Sequence, residues 1–312
     1  MRVSYHPDYH VELPPTHPFP MGKYPRVHAL LTAAGVVDPG EVMQPEEAPI
    51  PSLSRVHDAD YLGKLEAGTL SDAEVRRLGV PWSPRLWRRS RLAAQGTLLA
   101  ARAALEDGVA GNLAGGTHHA FANRGEGFCV LNDVAIAIRA LQDEGGPRRA
   151  LVVDLDVHQG NGTAAIFEGD PEVYTFSMHG ERNYPTVKMR SDRDVGLPDG
   201  TGDVAYLDAL ARHLPEVLDE SRPEVVFYLA GVDPAAGDRY GKLSLSEPGL
   251  RARDRFVVEQ VRGRGLPVVL LLAGGYAATA ARTAELHANT FLEAAAVAGA
   301  AGPGRLPSRM SS

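Results

Sequence analysis

The sequence predicts an α/β domain in which helices cover both faces of a mostly parallel sheet. Three observations predict it. Short, unbroken Val/Leu runs recur along the chain, as strands buried on both faces require. Segments of helical periodicity separate them, the alternation that makes strands parallel. Residues capable of chemistry follow directly after those runs, where open α/β sheets bind ligands. The length of 312 residues suits one large domain of this kind or two small ones.

In chain order, the apolar runs place strands at 2–5, 109–114, 150–154, 173–177, 225–230 and 267–273. Helical patterns occupy 90–106, 132–143, 206–219, 248–262 and 278–297. Asn132 can cap the second of these helices. Gly160-Asn161-Gly162 permits a tight turn into a further helix. Residues 6–26 and 178–203 are rich in Pro, Gly and His, and long irregular segments of that kind form site walls more often than linkers. No internal repeat is present. The Gly/Pro/Ser tail from Ala300 is expected to be disordered, which leaves 1–299 as the folded domain.

Composition narrows the function classes. Hydrophobic residues make up 44% and charged residues 23%, ordinary for a soluble globular protein. A formal net charge of −7 argues against nucleic acid as the main partner. Cys129 is the one cysteine, so neither a disulfide framework nor a thiolate zinc cluster can form. The N-terminus lacks the apolar core of a signal peptide and no run is long enough to span a membrane, so a cytoplasmic protein is expected. No Gly-x-Gly-x-x-Gly follows the first strand, which argues against a dinucleotide-binding protein.

Four motifs carry chemistry. In the first, the strand at 150–154 runs into Asp154, Asp156 and His158. Side chains at i, i+2 and i+4 of a strand share a face, and burying three ionisable groups unpaired is unfavourable. A divalent metal held by Asp156 and His158 satisfies them together. In the second, Gly115-Gly116-Thr117 leads into His118 and His119, which suit metal ligation or general acid–base work. The third runs from Gly231 through Asp233 to Asp238. Such composition normally marks a turn. Its functional reading makes Asp238 a third metal ligand and Asp233 a loop-holding acceptor. The fourth ends a strand in Gly274-Gly275-Tyr276, placing a phenol where it can donate to a developing oxyanion. Phe128, beside Cys129, belongs to the core or to a substrate channel, and Cys129 reads as a small buried hydrophobe.

With these motifs in this order, the chain resembles the zinc-dependent histone deacetylase family, of the arginase/deacetylase fold. The stretches that carry the likeness are 115–120, 127–133, 154–163, 231–238 and 273–276, and it extends to about Ala298. The segment 16–24, Thr-His-Pro-Phe-Pro-Met-Gly-Lys-Tyr, is most similar to the class IV branch and its bacterial relatives. The resemblance implies an eight-stranded sheet and assigns roles. Asp156, His158 and Asp238 would hold zinc. His119 would act as general base and then general acid, and His118, paired with Asp154, would act electrostatically. Tyr276 would polarise the acyl carbonyl. Phe128 and Tyr184 would wall a narrow channel for a lysine side chain, and the Gly127 carbonyl would accept the substrate amide N–H. A structural potassium ion is implied near Asp154, Asp156, His158, Ser177 and Met178. Two carboxylates and an imidazole would also accept Fe(II), Co(II) or Mn(II).

The implied activity is removal of an acyl group from the ε-amine of lysine in a protein or peptide. Acetyl is the default, and longer fatty acyl groups follow from the class IV likeness. Alternatives are deacylation of a small amine and a catalytically silent metal-binding relative. Gly160 stands where a binuclear manganese ureohydrolase would want an acid, and the intact motifs argue against a silent relative. Three departures from the family pattern stand out. Asn161 replaces an aspartate that several members pair with the second histidine. The expected rim segment, 81–91, carries no acid to grip a peptide backbone. Leu245, expected in the substrate channel, replaces a glutamate of polyamine-specific relatives and offers a second ammonium no partner.

Overall fold

The computed structural model describes residues 1–300 and contains one sheet of eight strands. These are β1 (Val3–Ser4), β2 (Val42–Met43), β3 (Val109–Asn112), β4 (Ala150–Asp154), β5 (Val173–Gly180), β6 (Arg193–Leu197), β7 (Val225–Leu229) and β8 (Val268–Leu271). Their spatial order is β2-β1-β3-β8-β7-β4-β5-β6, and every neighbouring pair is parallel. Unbroken apolar runs identify all the inner strands. They miss β2 and β6, which are the two edges. An edge strand has a neighbour on one flank only, and β6 accordingly alternates half-buried and exposed residues up to a buried Leu197. The stretch 178–203 is therefore not wholly irregular, since β5 extends to Gly180 and β6 lies within it.

The helices are α1 (Lys23–Ala33), α2 (Ile50–Leu53), α3 (Ala59–Ala67), α4 (Asp72–Leu78), α5 (Pro84–Asp107), α6 (Asp133–Asp143), α7 (Asn161–Phe167), α8 (Asp203–Ser221), α9 (Glu247–Gly263) and α10 (Ala280–Ala300). Apolar periodicity places α5 too late. The Ser83 side chain accepts from Leu86 N at 3.1 Å, and Pro84 occupies the first turn. The arginines of that turn hide the apolar pattern, although one of them, Arg89, points inward. The four short helices α1 to α4 escape the periodicity reading. Only the Ser71/Glu74 capping box of α4 is a clear local signal. The described part of α10 includes Ala300, and the rest of the expected disordered tail lies outside the described residues. No helix among the described residues is long and apolar enough to cross a membrane.

Strand periodicity builds a core on each face of the sheet. Leu151, Val153, Val226, Tyr228, Val268 and Leu270 pack on one side with α8, α9 and α10. Val152, Phe227, Leu229, Val269 and Leu271 pack on the other with α6 and the second half of α5. Arg253 of α9 is wholly buried beneath the strand ends and pairs with Asp254. Its guanidinium donates to the carbonyls of Gly231 (2.7 Å) and Leu155 (3.3 Å), which ties the loop after β7 to the loop after β4. A lone buried charge would be destabilising, but this one is paired with Asp254, and its Nε and Nη1 donate while Nη2 makes only the ionic contact.

His57 performs a similar task on the other side. One ring nitrogen, Nδ1, lies 3.0 Å from the Phe121 carbonyl, and Nε2 accepts from Asn132 N at 3.0 Å. Asn132 in turn caps α6 through Ala135 N. These partners fix the neutral ring with its proton on Nδ1. Burial lowers the His57 pKa to about 4, outweighing the two carbonyls that favour the charged form. The unfolded chain binds this proton near pH 6.5, before the native one does. Stability is therefore full above pH 6.5 and falls as the pH drops toward 4, by roughly 3 kcal/mol in all. Urea unfolding across that window should show the loss, and His57→Gln should remove it from the pH dependence. Equal pH slopes for the two proteins would mean that burial does not lower the His57 pKa in the native state.

Candidate active site

The motif loop is shaped by its own carboxylates. Strand β4 ends at Asp154, so Asp156 and His158 sit in the loop beyond it and are not on a shared strand face. Asp154 Oδ1 accepts from Asp156 N (3.1 Å), and Asp156 Oδ1 accepts from His158 N (3.0 Å). Each aspartate thus bonds the backbone two residues on, the local turn that Asp favours. Asp233, from the loop after β7, accepts from Val157 N at 2.9 Å and clamps the two loops together.

Asp156, His158 and Asp233 each offer a ligand atom within 4.8 Å of the others, and all three are buried. His158 Nδ1 lies 2.9 Å from Asp156 Oδ1 and 3.3 Å from Asp233 Oδ2. Asp233 Oδ2 has no hydrogen-bond partner. A Cβ on Gly231 or Gly274 would overlap the carboxylate oxygens of this cluster, so glycine alone lets the backbone approach so closely. Burial, with Asp156 adding to it, pushes Asp233 up to about 7. Burial alone would lower His158, but its bond to Asp156 and the Asp233 carboxylate beside it outweigh that and raise it to about 10. A proton on His158 therefore balances the crowded carboxylates. Two anionic oxygens, one imidazole nitrogen and an orphaned lone pair fit a divalent cation, which would take the place of that proton.

This set corrects one reading. The sequence expectation makes Asp238 the third ligand and Asp233 the loop holder, and the structure exchanges them. Asp238 Oδ1 accepts from Tyr240 N (2.9 Å) and Gly241 N (3.0 Å), and Asp238 Oδ2 accepts from Tyr276 N (2.6 Å). Its oxygens are taken up in holding the loop and the Tyr276 backbone. Spacing could not separate two acids five residues apart in one irregular loop.

The histidine pair is held from behind. Asp133 accepts from the backbone N–H groups of Gly116 (3.1 Å) and Thr117 (2.7 Å), which fixes the turn before His118. His118 Nδ1 lies 2.6 Å from Asp154 Oδ2. Burial opposes charge on His118, but Asp154 and Asp156 prevail and raise its pKa to about 9. His119 Nδ1 lies 2.7 Å from Asn161 Oδ1, and Asn161 Nδ2 donates to Glu126 Oε1 at 3.0 Å. Glu126 was not singled out in the sequence, yet it decides the tautomer. A carboxylate only accepts, so the Asn161 amide nitrogen faces Glu126 and its oxygen faces His119. His119 therefore carries its proton on Nδ1 and keeps Nε2 free as a base. Burial first, then the neighbouring His118 and His158, hold His119 well below the usual histidine range.

Above the cluster, a cavity of about 250 Å³ is lined by Arg77, Phe128, Tyr184, Tyr240 and Tyr276, with His119 and His158 at its base. The expected walls Phe128 and Tyr184 are both present, and Tyr184 packs edge-on to His119 at 5.0 Å. Gly127 and Phe128 both have positive φ, 55° and 69°. For Phe128 that conformation is strained, and a bond from its N–H to the Leu78 carbonyl (2.8 Å) secures it. Leu245 is not in the channel. It is buried in the core, with its backbone bonded to Pro234 and Ala236. Tyr240, unnoticed in the sequence, takes the channel position and packs on Tyr276 at 4.9 Å. Burial, reinforced by Asp233 and Asp156, raises the Tyr276 pKa far above its ordinary value, so its hydroxyl stays a donor. Cys129 is buried and burial pushes its thiol up, which suits a packing residue. Ser177 pairs in register with Asp154, next to Met178, and its Oγ lies 2.9 Å from His179 Nδ1.

Comparison with known proteins agrees with this architecture. The histone deacetylase domain family matches residues 17–291. An uncharacterized protein of Picosynechococcus is 50% identical over 275 residues, covering 88% of this chain and 92% of that protein. Histone deacetylase 2 of Arabidopsis thaliana is 32% identical, over 85% of this chain and 71% of its own. The crystal structure of an acetylpolyamine aminohydrolase from Burkholderia pseudomallei has the same fold, with a TM-score of 0.77, 24% identity and coverage of 95% of this chain and 99% of that one.

The exchange of Asp233 and Asp238 is open to direct test. Asp233→Asn should weaken zinc binding in a chelator competition by more than Asp238→Asn, whose loss should stay within the roughly 10- to 100-fold typical of an outer partner. The reverse ranking would restore Asp238 as the ligand.

Proposed function

The chain belongs to the histone deacetylase family, whose members are metal-dependent, and from that premise we propose that it hydrolyses the amide between a short acyl group and the ε-amine of lysine, with zinc as the metal. One observation carries the reading. A neutral His119, its Nε2 kept free by Asn161 and Glu126, stands beside a three-donor cluster and Tyr276 at the base of an aromatic channel.

Asp156, His158 and Asp233 would hold the ion. Zinc, when bound, supplies Lewis acidity to the acyl carbonyl and to the attacking water. The remaining work falls to the chain. Phe128, Tyr184 and Tyr240 enclose the apolar stem of the lysine. The Gly127 carbonyl is the acceptor for its amide N–H. His119 Nε2 takes a proton from the attacking water and returns it to the leaving amine. His118, kept cationic by Asp154, stabilises negative charge as it develops. The Tyr276 hydroxyl donates to the oxyanion. A structural potassium ion beside Asp154, Asp156, His158, Ser177 and Met178 belongs to the same reading, supported by the side-by-side register of β4 and β5. The oxygen-rich donor set would also accept Fe(II), Co(II) or Mn(II).

The space behind the reacting atoms favours acetyl. The cavity that His119, Asp156, His158 and Tyr276 share with Tyr24 and Arg89 measures about 30 Å³, room for roughly two waters. A long alkyl chain does not fit there without rearrangement. Deacylation of a small amine is the second reading, favoured by the channel rim. Arg77 stands at the mouth and no carboxylate lines the channel to grip peptide N–H groups. That lack also leaves the second ammonium of an acylpolyamine unpaired.

Hydrolysis of matched acetyl-, octanoyl- and myristoyl-lysine peptides tests the reading, with acetyl expected to exceed the others at least tenfold in kcat/KM. Tyr276→Phe should lower kcat by about 100- to 1,000-fold, the effect of losing one oxyanion donor. Zinc binding without cleavage of any lysine peptide would move the small-amine reading ahead. The Asn161→Asp variant should shift the acid limb of the kcat/KM profile to higher pH, because a carboxylate stabilises the His119 imidazolium. An unmoved limb would show that His119 is not the base.

A further inference from the structure

Arg89 is a buried cation with no counter-ion. It lies on α5, 4% exposed, and lines the small cavity behind His119 and Tyr276. Its Nε donates to the Tyr9 carbonyl (3.3 Å) and its Nη2 to the Tyr24 hydroxyl (2.6 Å), both neutral acceptors. A guanidinium has five N–H donors, so most of these have no protein acceptor. The neighbouring arginines of the helix are paired, Arg88 with Asp8 and Glu47, and Arg91 with Glu47. Among the described residues no carboxylate pairs with Arg89. The nearby Asp133 is engaged with the backbone of Gly116 and Thr117 and with Thr97.

Tyr24 adds a second free donor. Its oxygen accepts from Arg89, and no described group accepts its own proton. Its ring also lies between two buried cations, 5.0 Å from the Arg89 guanidinium and 5.6 Å from Lys23 Nζ. Lys23 is bonded to the Ala273 carbonyl at 2.8 Å and likewise has no carboxylate partner among the described residues. This wall of the acyl pocket is therefore electropositive and rich in unused donors. An unpaired buried charge is unfavourable, and a planar carboxylate is the group a guanidinium fork pairs with best.

We propose that Arg89 and Tyr24 form a carboxylate site at the back of the acyl pocket, selecting the shortest acyl groups that end in a carboxylate, of the malonyl class, whose carboxylate takes the place of the roughly two waters the cavity has room for. The proposal rests on the lysine-deacylase reading and names the acyl class that site prefers. A neutral chain of the same length would cover the guanidinium without pairing it. An ω-carboxylate pairs it and accepts from Tyr24. The reaction is ordinary hydrolysis. Water oxygen bonds to the acyl carbon, the amide C–N bond breaks, the amine takes a proton, and a dicarboxylate leaves.

The test compares acetyl-, propanoyl- and malonyl-lysine peptides with the zinc-loaded full chain. Propanoyl and malonyl have equal carbon chains, so their kcat/KM ratio isolates the terminal charge. Malonyl should exceed propanoyl at least tenfold, Arg89→Met should bring the ratio below one, and Arg89→Lys should keep part of the preference. Tyr24→Phe should lower the ratio severalfold, which provides a reading if Arg89→Met fails to fold. A ratio of one or less in the native chain overturns the proposal while acetyl cleavage leaves the deacylase reading standing. A ratio unmoved by Arg89→Met, with inhibition by free acetate weakened, also overturns it and assigns the site to the departing product. Cleavage of no acyl-lysine at all defeats the underlying reading itself.

Discussion

Asp156 and Asp233 are buried side by side with His158, at the ends of two adjacent strands, β4 and β7. Burial removes the water that would solvate their charge, and their proximity makes each oppose ionisation of the other. The His158 proton balances the pair in the bare chain, and a divalent cation held by the same three residues would do so more completely. Much of the surrounding structure is arranged to hold that crowding in place. Arg253 ties the two loops from below, glycines at 231 and 274 let backbone lie against the oxygens, and Asp238 secures the loop and the backbone of Tyr276.

The same buried charge divides labour between two adjacent histidines. His118 faces Asp154 and is held cationic, whereas His119 faces the neutral Asn161 and stays uncharged. Identical side chains one residue apart thus become an electrostatic element and a base. Glu126 extends this logic one step outward, because its carboxylate orients the Asn161 amide and so the His119 tautomer. Outer partners of this kind commonly control ring orientation in metal sites. At the far end of the pocket the sign reverses, and Arg89 and Lys23 supply positive charge that no protein carboxylate answers.

The sequence makes legible what burial imposes on composition. Inner strands such as β4 and β7 must be apolar on both faces, and they read as continuous runs. Edge strands β2 and β6 escape that requirement and so escape notice. The α5 start is signalled by Ser83 and Pro84, but inward and outward arginines together blur its periodicity. Motif loops are legible because residue types such as Asp-x-Asp-x-His have few uses in a buried place. Which member of a loop points inward is another matter. Asp233 and Asp238 share a loop, and only their N–H partners distinguish ligand from scaffold. Leu245 and Tyr240 differ in the same way, one turned to the core and one to the channel. Glu126 and Arg89 were hidden because each acts through contacts distant in sequence.

The central claim is that Asp156, His158 and Asp233 together hold one divalent ion. Anomalous diffraction at the zinc edge, from crystals of the zinc-loaded chain, tests it most directly. The account predicts one strong peak within bonding distance of His158 Nδ1 and one oxygen each of Asp156 and Asp233, about 2.0–2.2 Å away, with Asp238 outside the coordination sphere. A peak ligated by Asp238, or zinc bound only elsewhere, would contradict it.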